Sequence, residues 1–276
     1  MRYVIAVLSD LHAGSKLGLL APGTELEDPS GGTYVLRLSK AQQWLWQNYE
    51  DAIVQTLDLA GDDPVILIHN GDVCQGAFRD INITNSLTDQ ARIAIANLSP
   101  WFELGNILRA YIVCGTEAHD FGEASTERLI AETLRIKYGA DVLYKPHILL
   151  SVDGASIDVA HHGPHPGSRA WLRGNIARLY LRDRIIEDLA RGHKVPDLFV
   201  RSHRHRPVDE VVSLECVKSR IIVTPSWQLA GQFARKAIES PPYFVCGMSA
   251  IEVIDGRIVD VHHFYYELDI RSKEDV

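Results

Sequence analysis

"YVIAVLSDLHAG", residues 3–14, is the stretch on which the rest of the chain is read. The run Tyr3–Leu8 has the β-branched and aromatic bias of a strand, and it ends in a polar turn. Asp10 and His12 stand two apart where that strand stops, so period-2 geometry sends both side chains the same way and a metal could be gripped between them. Taken alone, an Asp-x-His after a strand is more often a turn with a solvated histidine. The apolar run is also too short for a signal-peptide core or a membrane span.

Working outward, β-rich runs alternate with long amphipathic stretches. The pattern predicts a helix over 39–60, a strand at "VILI", and a helical stretch over 84–109 broken at Pro100. A strand at "AYIV" and a helix over 123–138, stopped by Gly139, come next. "VLYKPHILLSV" and "SIDVA" read as strands, 168–191 as a helix and "DLFV" as a strand. The remainder, from "VDEVVSLEC" to "RIVDVHHFYYEL", reads as antiparallel strands with a "DG" turn between the last two. A chain that begins βαβ and ends in a meander implies one α/β domain over 1–276, a mixed sheet or two packed sheets with helices outside. Residues 13–38, rich in Gly and Pro, are too long for a passive connection and are expected to form a lid or rim loop.

The totals narrow the class. An apolar fraction of 46% supplies a large core, and a net charge of -8 argues against a chain that coats nucleic acid or an anionic membrane through its overall field. Four cysteines without a Cys-x-x-Cys pair fit neither a disulfide framework nor a zinc ribbon, which points to a cytoplasmic protein. Histidine is the conspicuous residue, grouped as "HHGPH" and "SHRH".

These groups recur at strand ends. After Asp10 and His12, "HNGDVCQG" places Asp72 behind a turn glycine. "CGTEAHD" then crowds Glu117, His119 and Asp120 behind Gly115; "HHG" ends another strand at His161 and His162; "SHRH" ends the next at His203 and His205. Each alone is an ordinary loop. In this order they resemble the calcineurin-like metallophosphoesterase superfamily, whose pattern runs Asp-x-His, Gly-Asp, Gly-Asn-His-Asp/Glu, His-Gly and Gly-His-x-His.

The resemblance covers about residues 4–206 and implies a four-layer αββα sandwich with a metal site at the carboxyl ends of the strands. It implies two divalent ions, one on Asp10, His12 and His205, the other on His162 and His203, bridged by Asp72. A bridging carboxylate is also what two neighbouring cations require electrostatically. Oxygen and imidazole donors suit Mn, Fe, Zn, Co or Ni. His162 is preferred to His161 because the family ligand directly precedes glycine.

Three departures qualify the likeness. The third loop is two residues longer, so Glu117 is expected to replace the asparagine ligand, with Thr116 its rival, while His119 faces the substrate phosphate. Gln75 stands where many relatives carry an aspartate that orients this histidine, and Ser202 replaces a glycine. The expected activity is hydrolysis of a phosphodiester or phosphomonoester by metal-activated water. A metal-dependent DNA or RNA nuclease and a non-catalytic metal-binding subunit are the alternatives; nucleic acid stays open as a partner, a membrane does not. Arg201, Arg204 and Arg206 are candidates for collecting a polyanion, and Trp227 beside Arg235 and Lys236 for a base or sugar, with a core tryptophan the plainer reading.

Overall fold

The chain folds as four layers, helices and sheet on one side, sheet and helix on the other. The computed structural model describes residues 1–28, 30–77, 81–122, 125–165, 172, 174–214, 217–231 and 242–271. The first sheet begins with β1 (Arg2–Leu8), β4 (Val65–His69), β5 (Ile107–Val113) and β6 (Val142–Lys145), all parallel. The long hairpin β12 (Tyr243–Ile254) and β13 (Arg257–Asp269) adds antiparallel beyond β1. The second sheet has the order β10-β11-β9-β8-β7, from β7 (Ile148–Val152), β8 (Ala155–Val159), β9 (Leu198–Arg201), β10 (Val208–Leu214) and β11 (Val217–Val223).

Alternation along the strands builds the layers. Val4, Ala6 and Leu8 face the helices α1 (Lys40–Ala60), α2 (Leu87–Leu104) and α3 (Ser125–Tyr138), whereas Ile5 and Val7 join Ile157, Val159, Leu198 and Val200 between the sheets. Phe199, Ile221 and Val223 turn outward beneath α4 (Asn175–Ala190). This is the αββα sandwich with mixed sheets that the sequence implies.

Local signals account for most boundaries. Ser39 caps α1 by accepting from the Gln42 amide, while the Gln42 side chain accepts from the Ser39 amide, a reciprocal capping box. Pro100 does not break α2. The proline removes one backbone donor near the end of the helix, and packing carries the helix through: Trp101 is wholly buried and donates its indole N–H to the Tyr49 hydroxyl at 2.9 Å. "VLYKPHILLSV" is two strands, because the chain leaves the first sheet at β6, passes Pro146 and His147, and enters the second at β7. Residues 166–171 and 173, within the expected helix 168–191, lie outside the described residues, as do Arg235 and Lys236.

Residues 13–38 are pinned rather than hanging free. Leu19, Leu20 and Leu26 are buried in the helical core, and Asn97 of α2 clasps the segment by donating to the Leu19 carbonyl and accepting from the Ala21 amide. Its outer part is a small hairpin of β2 (Glu25–Glu27) and β3 (Thr33–Val35).

Candidate metal centre

Three strands of the first sheet and two of the second deliver polar loops to the same edge. Beyond β1 come Asp10 and His12, beyond β4 Asp72, beyond β5 Thr116 to His119, beyond β8 His161 and His162, and beyond β9 His203 and His205. Carboxyl ends of parallel strands converge in this way around the binding edge of an open α/β sheet.

The backbone is unusual at these positions. Among the described residues, seven non-glycine residues have left-handed φ, and five of them are Asp10, His12, Asp72, His203 and His205. For residues with a Cβ this conformation costs energy, and such strain gathers where side-chain placement matters more than local comfort. Gly115 provides the complementary device. A Cβ there would overlap the backbone nitrogen and Oδ1 of Asp72, so only glycine lets the third loop close onto that carboxylate.

Two triangles of ligand atoms result. In the first, His205 Nε2 lies 3.1 Å and His12 Nε2 3.7 Å from Asp10 Oδ1, with the two ring nitrogens 3.3 Å apart. In the second, Asp72 Oδ2 lies 3.0 Å from His161 Nε2 and 3.8 Å from His203 Nδ1. A third grouping, His12, Asp72 and His119, joins them.

Electrostatics hold Asp10, Asp72 and His12 in ligating form. Burial would raise both aspartates, but the facing imidazoles outweigh it and keep Asp10 and Asp72 well below the usual carboxylate range. Burial pushes His12 down to about 4, leaving a neutral ring with a lone pair to offer. For His161 burial is overcome by Asp10 and Asp72, and the ring is raised to about 9. Carboxylate and imidazole atoms converging in a buried, anionic pocket fit a divalent transition metal.

The structure places two of the expected ligands, Glu117 and His162, outside the clusters found among the described residues. Glu117 is exposed in a single 3₁₀ turn, Glu117–His119, and belongs to none of the clusters among the described residues. Thr116 is still extended when it reaches Asp72: its amide donates to Oδ1 at 2.6 Å, and its hydroxyl lies 3.2 Å from Oδ2 and 3.1 Å from His203 Nδ1. The turn starts one residue later and throws Glu117 outward.

His161, not His162, reaches Asp72. His161 is buried and its Nδ1 donates to the Asn70 carbonyl at 2.6 Å, which aims Nε2 at the carboxylate, whereas His162 is exposed with its Nε2 3.5 Å from the Thr116 hydroxyl. The signal was in β8: Ala155, Ile157 and Val159 face the inter-sheet core, and residue 161 continues that parity.

His119 sits at the cluster's rim. Its Nδ1 meets the Gln75 carbonyl at 2.8 Å, and its Nε2 lies 4.0 Å from Asp72 Oδ2. The Gln75 side chain accepts from Gln228 Nε2 at 2.6 Å, and Gln228 also donates to Ser15. Asp120 accepts from the Thr126 amide at the start of α3, and Ser202 joins Asn70 and Thr224 in a buried network that ties three loops together. Arg201 is buried against Asp158, Tyr180 and two carbonyls, so it is unavailable to a ligand; Arg204 remains exposed. Trp227 is wholly buried, a core residue.

No protein-family model and no curated protein sequence matches the chain. Solved structures do. A conserved uncharacterised protein of Streptococcus pneumoniae, described as a predicted phosphoesterase, aligns over 98% of each chain at 12% identity and a TM-score of 0.38. A Thermotoga maritima protein aligns over 96% of this chain and 99% of its own at 14% identity and a TM-score of 0.35. Against the sulfate thiohydrolase SoxB of Thermus thermophilus the values are 97% and 56% at 11% identity, with a TM-score of 0.37. Likeness of this degree leaves the chemistry to be carried by the side chains themselves. None of the helices among the described residues is long and apolar enough to cross a membrane.

Proposed function

We propose that the chain is a phosphoesterase that works with two divalent metal ions, hydrolysing a phosphodiester or a phosphomonoester. The observation that carries this reading is the pair of ligand triangles linked through Asp72. Asp10, His12 and His205 would hold one ion, His161, His203 and Thr116 the other, with Asp72 between them. The ions would supply Lewis acidity to a phosphoryl oxygen and a water acidic enough to attack phosphorus near neutral pH.

The chain's own atoms do the rest. His119 donates Nδ1–H to a main-chain carbonyl, which fixes the ring and leaves Nε2 as the atom presented to the cluster. From there a doubly protonated ring can hydrogen-bond a phosphoryl oxygen and deliver a proton to the departing alkoxide. Asp10 and Asp72, ionised and buried, would offset part of the charge of two neighbouring cations. Arg204 and His162 are both exposed, and the His162 ring lies 4.7 Å from that of His203.

The test is purified protein with its metal content measured, assayed with Mn, Ni, Zn or Mg on a phosphomonoester, a phosphodiester, single-stranded DNA and RNA. Turnover of a small ester is expected. His119→Ala should retain its metals and lose about 10² to 10⁴ in kcat. Full metal occupancy without turnover on any ester would overturn the enzymatic reading, and turnover confined to nucleic acid would reassign the substrate.

A further inference from the structure

Beyond β5, three consecutive amides go to three different acceptors. Cys114 donates to the Lys145 carbonyl at 3.0 Å and so continues the ladder to β6. Thr116 donates to Asp72 Oδ1 at 2.6 Å, inside the metal centre. Between them, Gly115 donates at 3.4 Å to Oε1 of Glu127, a side chain of α3.

A glutamate in the first turn of a helix ordinarily lies in water, where it complements the positive end of the helix. Glu127 is only 2% exposed, and the start of α3 is already served by Asp120, which accepts from the Thr126 amide. Its burial therefore has another reason. Oε2 is buried with no hydrogen-bond partner among the described residues, which leaves Oε1 and the Gly115 amide as the contact that ties this side chain to the third loop. Burial, reinforced by Asp120, pushes the carboxyl up to about 7, and both its ionised and its protonated form keep an oxygen that accepts. The tie falls where small shifts matter. Gly115 packs so tightly on Asp72 that a Cβ would not fit, and the next residue brings both its amide and its hydroxyl to that carboxylate.

We infer that Glu127 is a positioning residue for the second metal site: by holding the Gly115 amide it sets the third loop so that Thr116 meets Asp72 and His203. The inference rests on the two-metal reading of the centre. Glu127 touches neither ion nor substrate; it acts through the path of the backbone.

The test removes the acceptor while keeping the volume. In Glu127→Met, zinc titrated calorimetrically into the metal-free chain should still fill the site of Asp10, His12 and His205 as in the wild type, and should bind about tenfold or more weakly at the second site. Glu127→Gln, whose amide oxygen accepts the same hydrogen bond, should restore the second event. Independently of any metal, the Gly115 amide should exchange with deuterium about fivefold faster in Glu127→Met and at the wild-type rate in Glu127→Gln. With two ions bound by the wild type, unchanged exchange or unchanged zinc binding in Glu127→Met overturns the inference, as does a glutamine variant no better than the methionine one. A wild-type chain that takes up fewer than two ions overturns the two-metal reading, and this role of Glu127 with it.

Discussion

The molecule contains two histidine doublets, His161–His162 and His262–His263, and they do opposite things. His263 lies within β13 with both ring nitrogens matched by protein: Nδ1 meets the Ser249 hydroxyl at 2.9 Å and Nε2 meets Asp209 at 2.9 Å, a pair that links the edge strands of the two sheets. His262 faces Glu252. His161 stands past the end of its strand with one nitrogen spent on a carbonyl and the other aimed into a cluster of ligand atoms. A histidine is structural when partners complete it, and a candidate ligand when several incomplete groups share one space.

The comparison breaks most visibly at the carboxylates. Asp72→Ala should release the bound metal and lower turnover more than about 100-fold, since even outer-shell partners of a metal ligand are worth roughly 10- to 100-fold. Asp209→Ala, which removes the equivalent partner from the other doublet, should leave metal content unchanged. Equal metal loss in both would erase the distinction.

Within the first doublet, His161→Ala should weaken metal binding about tenfold or more, and His162→Ala much less, measured by competition with a chelating dye. A reversed order would return the ligand role to His162. In the neighbouring loop, Thr116→Val should reduce occupancy of the second site, while Glu117→Gln should leave elemental analysis unaltered.

The smallest effect concerns the structural doublet. Burial opposes ionisation of Asp209, but the two hydrogen bonds from Arg220 and the contact with His263 prevail and hold its carboxyl below the usual range. A depressed carboxyl contributes stability that is present above about pH 4 and is lost as the pH falls through the folded value. Asp209→Asn, at a solvent-exposed position, should therefore cost about 0.5 to 1 kcal/mol at neutral pH and flatten the acid side of the Tm profile.

Much of this was legible in the residues. The strand ends carrying Asp10, His12, Asp72, His203 and His205 follow from apolar runs that stop abruptly, and a mixed sheet or two packed sheets with helices outside follows from the βαβ beginning and the meander at the end, the four-layer αββα form being what the family resemblance implied. What escaped had tertiary causes. Choosing between His161 and His162 needed the parity of β8, and choosing between Thr116 and Glu117 needed the residue at which the chain enters its 3₁₀ turn. Pro100 is carried inside α2 by the burial of Trp101, and β6 and β7 belong to different sheets although no strong turn signal parts them.

The grip on His119 has a consequence for how freely this protein can change. Because a main-chain oxygen of residue 75 receives the imidazole proton, the tautomer follows from the path of the chain and not from any side chain that mutation could remove. Position 75 can therefore vary while the proton on residue 119 stays in place, and its glutamine is at liberty to serve Gln228 instead.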